Sequence, residues 1–202
     1  MKIKSLSYIL IESTNLESWE AYARDVVGLM KNNDLSDENN LFFRMDESPF
    51  RFQVQKGDND KYARGGFELE NKEAFEEAKK ELSNIGIEVA IESAELAKVR
   101  CVEELLSFDD PAGNTLELFY GRGIDTNEFK SSQDISKFVT HGLGLGHLVF
   151  GTLEVEAAHD FYKEVMNFGD SDIMRMRFSP NPDDPESVLY FMHCDNPRHH
   201  TV

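Results

Sequence analysis

The feature that most restricts the fold of this chain is a repeat. Sliding the sequence along itself by the separation of Tyr8 and His147 sets Leu6-Ser7-Tyr8 on Leu145-Gly146-His147. The same shift sets Ile11 on Phe150, Leu16 on Val155, Tyr22 on Phe161, Val26 on Val165 and Leu29 on Phe168. No gap is needed through an expected strand, turn and helix. Self-similarity at a fixed offset is the mark of a duplicated unit; the alternative is that any two β-α units share apolar spacing on physical grounds alone. The informative position is a mismatch. His147, a side chain able to bind metal, stands where the first copy has Tyr8.

Local patterns place elements on this frame. Residues 5–11 read as a strand. Thr14 or Asn15 can cap a helix with Glu17 in its first turn, and Leu16, Trp19, Ala23, Val26 and Val27 recur at helical spacing up to Gly28. Residues 41–45 and 50–55 read as strands. A second unit opens with a strand at 66–69, then a helix capped by Asn71 with Phe75, Ala78, Leu82 and Ile85 on one face, stopped by Gly86. A strand at 87–91 and a hairpin of 102–108 with 115–120 follow. Polar residues 121–140 read as a linker. A third unit has strands at 145–150, 173–178 and 188–193, with a helix from Val155 to Val165 ended by Gly169, and Val202 stands in the start of another strand. The recurring pattern is β, α, then two or three β.

Composition excludes several classes of function. The chain of 202 residues carries 21 Lys and Arg against 38 Asp and Glu, a formal charge of −17. A polyanion releases no counterions from nucleic acid and is repelled by anionic lipid, so neither is an expected partner. Cys101 and Cys194 cannot build a disulfide framework. The apolar run at 6–11 is too short for a secretion signal, and nothing approaches the roughly 20 apolar residues of a membrane span. The expected location is the cytoplasm. All six histidines (141, 147, 159, 193, 199 and 200) lie beyond residue 140, so metal or acid/base chemistry is expected there. Gly142-Leu143-Gly144-Leu145-Gly146 precedes a strand rather than a helix and fails as a dinucleotide loop.

Gly144-Leu145-Gly146-His147 opening a unit, and Cys194-Asp195-Asn196-Pro197-Arg198-His199-His200-Thr201-Val202 closing it, resemble the two-domain type I extradiol ring-cleaving dioxygenases of the vicinal oxygen chelate superfamily. So do Met1 to Gly28, and Asp110-Pro111-Ala112-Gly113-Asn114 followed by Leu116-Glu117 and Tyr120-Gly121. The resemblance is nearest to the 2,3-dihydroxybiphenyl 1,2-dioxygenase group. It implies an α+β fold of paired βαβββ modules, the glyoxalase/bleomycin resistance/extradiol dioxygenase fold. Residues 1–125 would be a non-catalytic N-terminal domain of two modules, 126–141 a linker, and 142–202 the first, incomplete module of a catalytic C-terminal domain. The implied chemistry is cleavage of a catechol-type aromatic diol by Fe(II) and O₂, with iron held by two histidines and a glutamate.

Carried over residue by residue, His147 matches the first iron ligand, and His200 matches a histidine that moves protons on the substrate. The resemblance places the other histidine ligand one strand beyond His200 and the glutamate in a fourth module. The chain is therefore expected to carry one iron ligand of three and to be inactive by itself. Each candidate has a plainer alternative. His147 could be a satisfied core histidine. His199 and His200 adjoin on an expected strand, so only one faces a pocket. His193 fits the pattern without a role. Glu117, in the family's Leu-Glu setting but in the first domain, reads as a vestigial or salt-bridged glutamate. Met174, Met176, Phe178 and Phe191 would line an aromatic pocket or simply pack. A second hypothesis is a non-catalytic ligand-binding or dimerising module, its third module open on one apolar face; a homo-oligomer is expected on either reading.

Overall fold

The computed structural model describes residues 1–140, 142–181, 183, 186–194 and 200–202. Strand β1 (Ile3–Ser13) covers the strand expected at 5–11 and buries both faces of its centre, Leu6, Ser7, Tyr8 and Leu10 included. Asn15 accepts the Ser18 N–H and caps α1 (Leu16–Tyr22). The helix widens into a π-helical turn at Ala23–Val27 and stops at Gly28, whose φ of 82° is left-handed. Strands β2 (Met30–Lys31), β3 (Asn40–Arg44) and β4 (Phe52–Lys56) complete the first module.

The second module repeats the order with β5 (Lys61–Leu69), α2 (Lys72–Asn84, capped by Asn71), β6 (Ala90–Ile91), α3 (Ala94–Val99), β7 (Glu104–Asp109) and β8 (Thr115–Tyr120). One sheet of eight strands unites the two modules in the order β2-β3-β4-β1-β5-β8-β7-β6. Each half has the same internal plan: β1 pairs with β4 in parallel as β5 does with β8, and β1 and β5 join the halves antiparallel. Two βαβββ modules are thus paired, as expected.

The sequence pattern missed α3. It is six residues long, too short for a visible period, and its signal is the Ser93 cap, which accepts the Leu96 N–H. The expected strand at 87–91 shrinks to two residues, and the other strands shift by a residue or a few at their ends.

The third unit begins with extended residues 146–150 that form no strand, contrary to expectation. Among the described residues, single backbone bonds tie this stretch to its neighbours, Leu145 N–H to Leu6 O at 2.9 Å and Leu148 N–H to Thr201 O at 3.1 Å. Isolated bonds are not a ladder. Then come α4 (Val155–Asp160), a π-helical turn at Phe161–Val165, and the antiparallel pair β9 (Gly169–Met176) and β10 (Ser187–His193). The helix ends at Asn167, with φ 59°, rather than at Gly169, which opens β9.

Phe161, Tyr162, Met166 and Phe168 of this unit share one core with Phe67, Phe75 and Leu82 of the second module. On the other side Ile173, Met174 and Phe178 stay exposed.

Residues 121–140 contain no helix or strand, yet they are clamped to the first module. Buried Arg44 donates to the Asn127 carbonyl at 2.9 Å and pairs with Asp125 at 3.1 Å. Gln133 donates to Asp25 O, and Phe138 joins the core under α1. Among the described residues no helix is long and apolar enough to cross a membrane.

Candidate active site around His147 and His200

The loop before His147 is shaped by contact with β1. Gly144 has a left-handed φ of 68°, and a Cβ there would stand 2.1 Å from the Leu6 carbonyl oxygen. Only glycine permits that approach. Gly144 therefore serves docking on the strand. The bond from Leu145 N–H to Leu6 O then fixes where His147 emerges.

His147 is exposed and lines a cleft of about 130 Å³. The cleft walls are mainly apolar, with Val149, Phe150, Val155, Leu189 and Phe191 among them. Such a lining suits the rings of an aromatic ligand, and the few polar groups would orient it. The core-histidine alternative for His147 does not describe this position.

His200 is half-buried, its ring centroid 6.3 Å from that of His147 and 4.9 Å from that of Phe191. The duplication explains the arrangement. In the first module Ile9 N–H bonds Arg51 O at 3.0 Å, and Arg51 N–H bonds Phe43 O at 2.8 Å. In the third, Leu148 N–H bonds Thr201 O at 3.1 Å, and Thr201 N–H bonds Met192 O at 2.6 Å. The residue before each of these corners faces the repeat position. Phe50 lies 5.0 Å from Tyr8 and 5.1 Å from Phe42; His200 lies between His147 and Phe191 in the same way.

The other described histidines, His159 and His193, have partners of their own. His193 is hydrogen-bonded to Ser171 at 2.8 Å. His159 lines the far part of the cleft, stacks on Tyr190 at 3.9 Å, and meets Asp170 at 2.6 Å. Hydrogen bonds from Lys163 and His159 hold the Asp170 carboxyl below its usual range. His141 and His199 lie outside the described residues. Met174 and Phe178 are exposed and Met176 half-buried on β9 or beyond it, so Phe191 is the member of that group that lines the cleft.

Two groups that sequence reasoning missed anchor the cleft to the first 120 residues. Tyr162 donates to Asp110 Oδ2 at 3.0 Å, and Asp110 also accepts the Ala112 and Asn114 N–H groups. Burial, then the Asp110 charge, pushes the Tyr162 hydroxyl well above its usual value, so it stays a neutral donor. The signal was present in the Asp-Pro-x-Gly-Asn turn, but nothing local names its distant tyrosine.

An imidazole such as His147 suits ferrous iron as a donor. Among the described residues, however, no group of three or more His, Cys, Asp or Glu lies close enough to hold a metal. The described residues do not by themselves form a complete iron site.

Comparison with known proteins gives this geometry its context. Residues 6–57 match the family model described as dihydroxybiphenyl dioxygenase BphC D1. The whole chain is 37% identical to an iron-dependent extradiol dioxygenase of Rhodococcus jostii RHA1, covering 67% of that protein. The chain belongs to the extradiol dioxygenase family. It is also 33% identical to the 3-methylcatechol 2,3-dioxygenase of Pseudomonas putida F1 (67% of its length) and to the biphenyl-2,3-diol 1,2-dioxygenase of Paraburkholderia xenovorans LB400 (66%). The chain thus spans about two thirds of the length of these curated relatives. All of it superposes on 70% of a solved catechol 2,3-dioxygenase with a TM-score of 0.90 at 28% identity. A Mn(II)-bound glyoxalase from Novosphingobium aromaticivorans, 15% identical with a TM-score of 0.70, shares the fold. The extradiol dioxygenase family and its glyoxalase-like fold are those the residues around 110–120, 144–147 and 194–202 resembled.

Proposed function

We propose that this chain takes part in extradiol cleavage of a catechol-type aromatic diol, such as 2,3-dihydroxybiphenyl, by Fe(II) and O₂. In this reading His147 contributes one iron ligand and His200 carries protons to and from the substrate. The observation that carries it is the pairing of the two rings, 6.3 Å apart beside an apolar cleft, in a chain 37% identical to an iron-dependent extradiol dioxygenase. Iron, when bound, supplies Lewis acidity toward the diol and redox contact with dioxygen. The chain's own residues do the rest. His147 offers a solvent-accessible nitrogen. The cleft walls hold an aromatic ring and keep water from one side of it. His200, pressed on Phe191, is placed to accept a proton from a diol hydroxyl and return it later. Residues 1–125 act as a non-catalytic domain and 142–202 as the first module of the catalytic one, joined by 126–141. The protein works as a cytoplasmic homo-oligomer without nucleic-acid or membrane partners.

The test uses the iron-loaded enzyme as the cell makes it, given 2,3-dihydroxybiphenyl and air. His147→Ala is expected to abolish both iron content and the yellow ring-fission product. His200→Gln is expected to keep iron and lower kcat. Full activity in His147→Ala would overturn the reading.

A further inference from the structure

The backbone around His147 is extended but has no ladder, so sheet pairing does not fix the direction of the imidazole. His147 and Val149 are exposed, whereas Leu148 and Phe150 are half-buried against the core that the third unit shares with the second module. Successive side chains of an extended backbone point to opposite sides. Whatever seats Leu148 and Phe150 therefore turns His147 and Val149 outward, and both of these line the cleft.

The first half of the chain builds these seats, directly or through Tyr162. Leu148 lies on β5 at Gly65, where a Cβ would stand 3.3 Å from Leu148 Cδ2 and 3.0 Å from the Tyr62 hydroxyl. A glycine at this point of the strand leaves room for both groups. Phe150 meets Tyr62 edge-on, with ring centroids 5.2 Å apart and planes at 85°. It lies nearly parallel to Tyr162, 6.2 Å away at 18°. Edge-on and offset-parallel are the favoured arrangements of aromatic pairs. Each tyrosine is in turn tethered: Tyr62 donates to the Thr115 carbonyl at 2.7 Å, and Tyr162 to Asp110 at 3.0 Å. Asp110 and Thr115 flank the turn between β7 and β8, so one hairpin of the first half holds both rings on Phe150. Burial, then the charges of Asp110 and Glu117, push the Tyr62 hydroxyl up, so like that of Tyr162 it stays a neutral donor.

We propose that the first half of the chain positions His147: Tyr62 directly, and Asp110 through Tyr162, clamp Phe150, and this clamp, with Leu148 seated at Gly65, aims the imidazole into the cleft. The proposal deepens the diol-cleavage reading and rests on His147 being an iron ligand. Tyr62, Phe150 and Tyr162 are positioning residues in it, acting on the metal through the backbone that carries His147. A loose side chain must be ordered before it can hold a metal, so the groups that orient a ligand contribute to affinity. Here that orientation comes from distant hydrogen bonds of the first half rather than from a strand neighbour of His147.

The test measures how fast a chelator removes iron from the iron-loaded enzyme, with Tm recorded for every variant. Phe150→Leu and Tyr62→Leu are each expected to release iron about tenfold faster. Because both break one contact, the double variant is expected to release it no faster than Phe150→Leu alone. Val54→Ala, in the separate core under α1, supplies a comparable loss of Tm and is expected to release iron at the parent's rate. Tyr62→Phe and Tyr162→Phe keep the rings, remove only the tethers, and are expected to speed release about threefold. Parent-like release from either folded leucine variant would overturn the proposal. So would equal acceleration in Val54→Ala, or effects of Phe150→Leu and Tyr62→Leu that multiply in the double variant. Where the leucine variants do not fold, the phenylalanine variants decide: faster release from both supports the clamp, and parent-like release from either overturns it. His147→Ala separates the two readings. If it loses iron while the clamp variants release iron at the parent's rate, only this proposal falls; if it keeps iron and activity, the diol-cleavage reading falls with it.

Discussion

The first and third modules are two copies of one backbone used in opposite ways. In both, a strand or extended segment leads to a helix that loosens into a π-helical turn and ends at a left-handed residue, Gly28 in one and Asn167 in the other. In both, the next N–H reaches back six residues, Leu29 to Ala23 O and Phe168 to Tyr162 O. The side chains inside differ. Tyr8, Phe50 and Phe42 pack together beside Glu117 and Arg100, whereas His147 and Phe191 border an open cleft and His200 lies against both rings. A duplicated frame thus leaves one copy packed and the other open by changing a few side chains while its corner hydrogen bonds stay in place.

The strongest way to break this comparison is to unseal the closed copy. Arg100→Ala leaves Glu117 buried with a single partial counter-charge from Arg64, so we expect a loss of about 3–5 kcal/mol in urea unfolding. A loss below about 1 kcal/mol would mean the cluster does not hold the first half together. Next in size is the loop that presents His147. Gly144→Ala meets the Leu6 carbonyl and requires a left-handed φ, so a cost of more than about 1 kcal/mol is expected, together with weaker metal binding. Tyr162→Phe removes the hydroxyl that ties the open copy to Asp110. About 1 kcal/mol should be lost, seen as faster amide exchange in residues 155–168 rather than across the whole sheet.

The smallest effect concerns pH and the strap between the copies. Asp46 is raised by burial, but the Arg51 guanidinium and the Ser48 and Thr140 hydrogen bonds outweigh this and leave it below the ordinary carboxylate value. A group whose folded pKa is depressed stabilises the fold above its unfolded pKa of about 3.9 and loses that contribution as pH falls through the lower folded value. Acid unfolding should therefore begin below about pH 4 and shift upward in Asp46→Asn. An unchanged acid midpoint would show that the Asp46 cluster adds nothing to the acid stability of the fold.

Much of the frame could be read from the sequence because it is written locally. Apolar runs between turn residues mark β1, β8 and β10, Asn15 and Asn71 cap helices as expected, and the repeat registers Tyr8 on His147. What stayed hidden depends on distant partners. Arg100 resembles any surface arginine until α3 carries it to Glu117. Arg44 has no sequence cue for the carbonyls at 125–127. Residues 146–150 have a strand pattern, but a strand also needs a neighbour along its length, and Thr201 supplies one bond. At the candidate site, family likeness supplied the roles of His147 and His200, and the duplicated geometry supplied their facing arrangement.

The claim on which the account turns is that position 147, and not the other described histidines, is the metal-facing corner of the open copy. Proton NMR of the imidazoles during addition of Co(II) tests it directly, since the paramagnetic ion broadens the nearest ring first. We predict that His147 broadens first and His200 next, with His159 and His193 later, and that His147→Ala removes the effect on His200. Earliest broadening at His159 or His193, undisturbed by His147→Ala, would contradict the account.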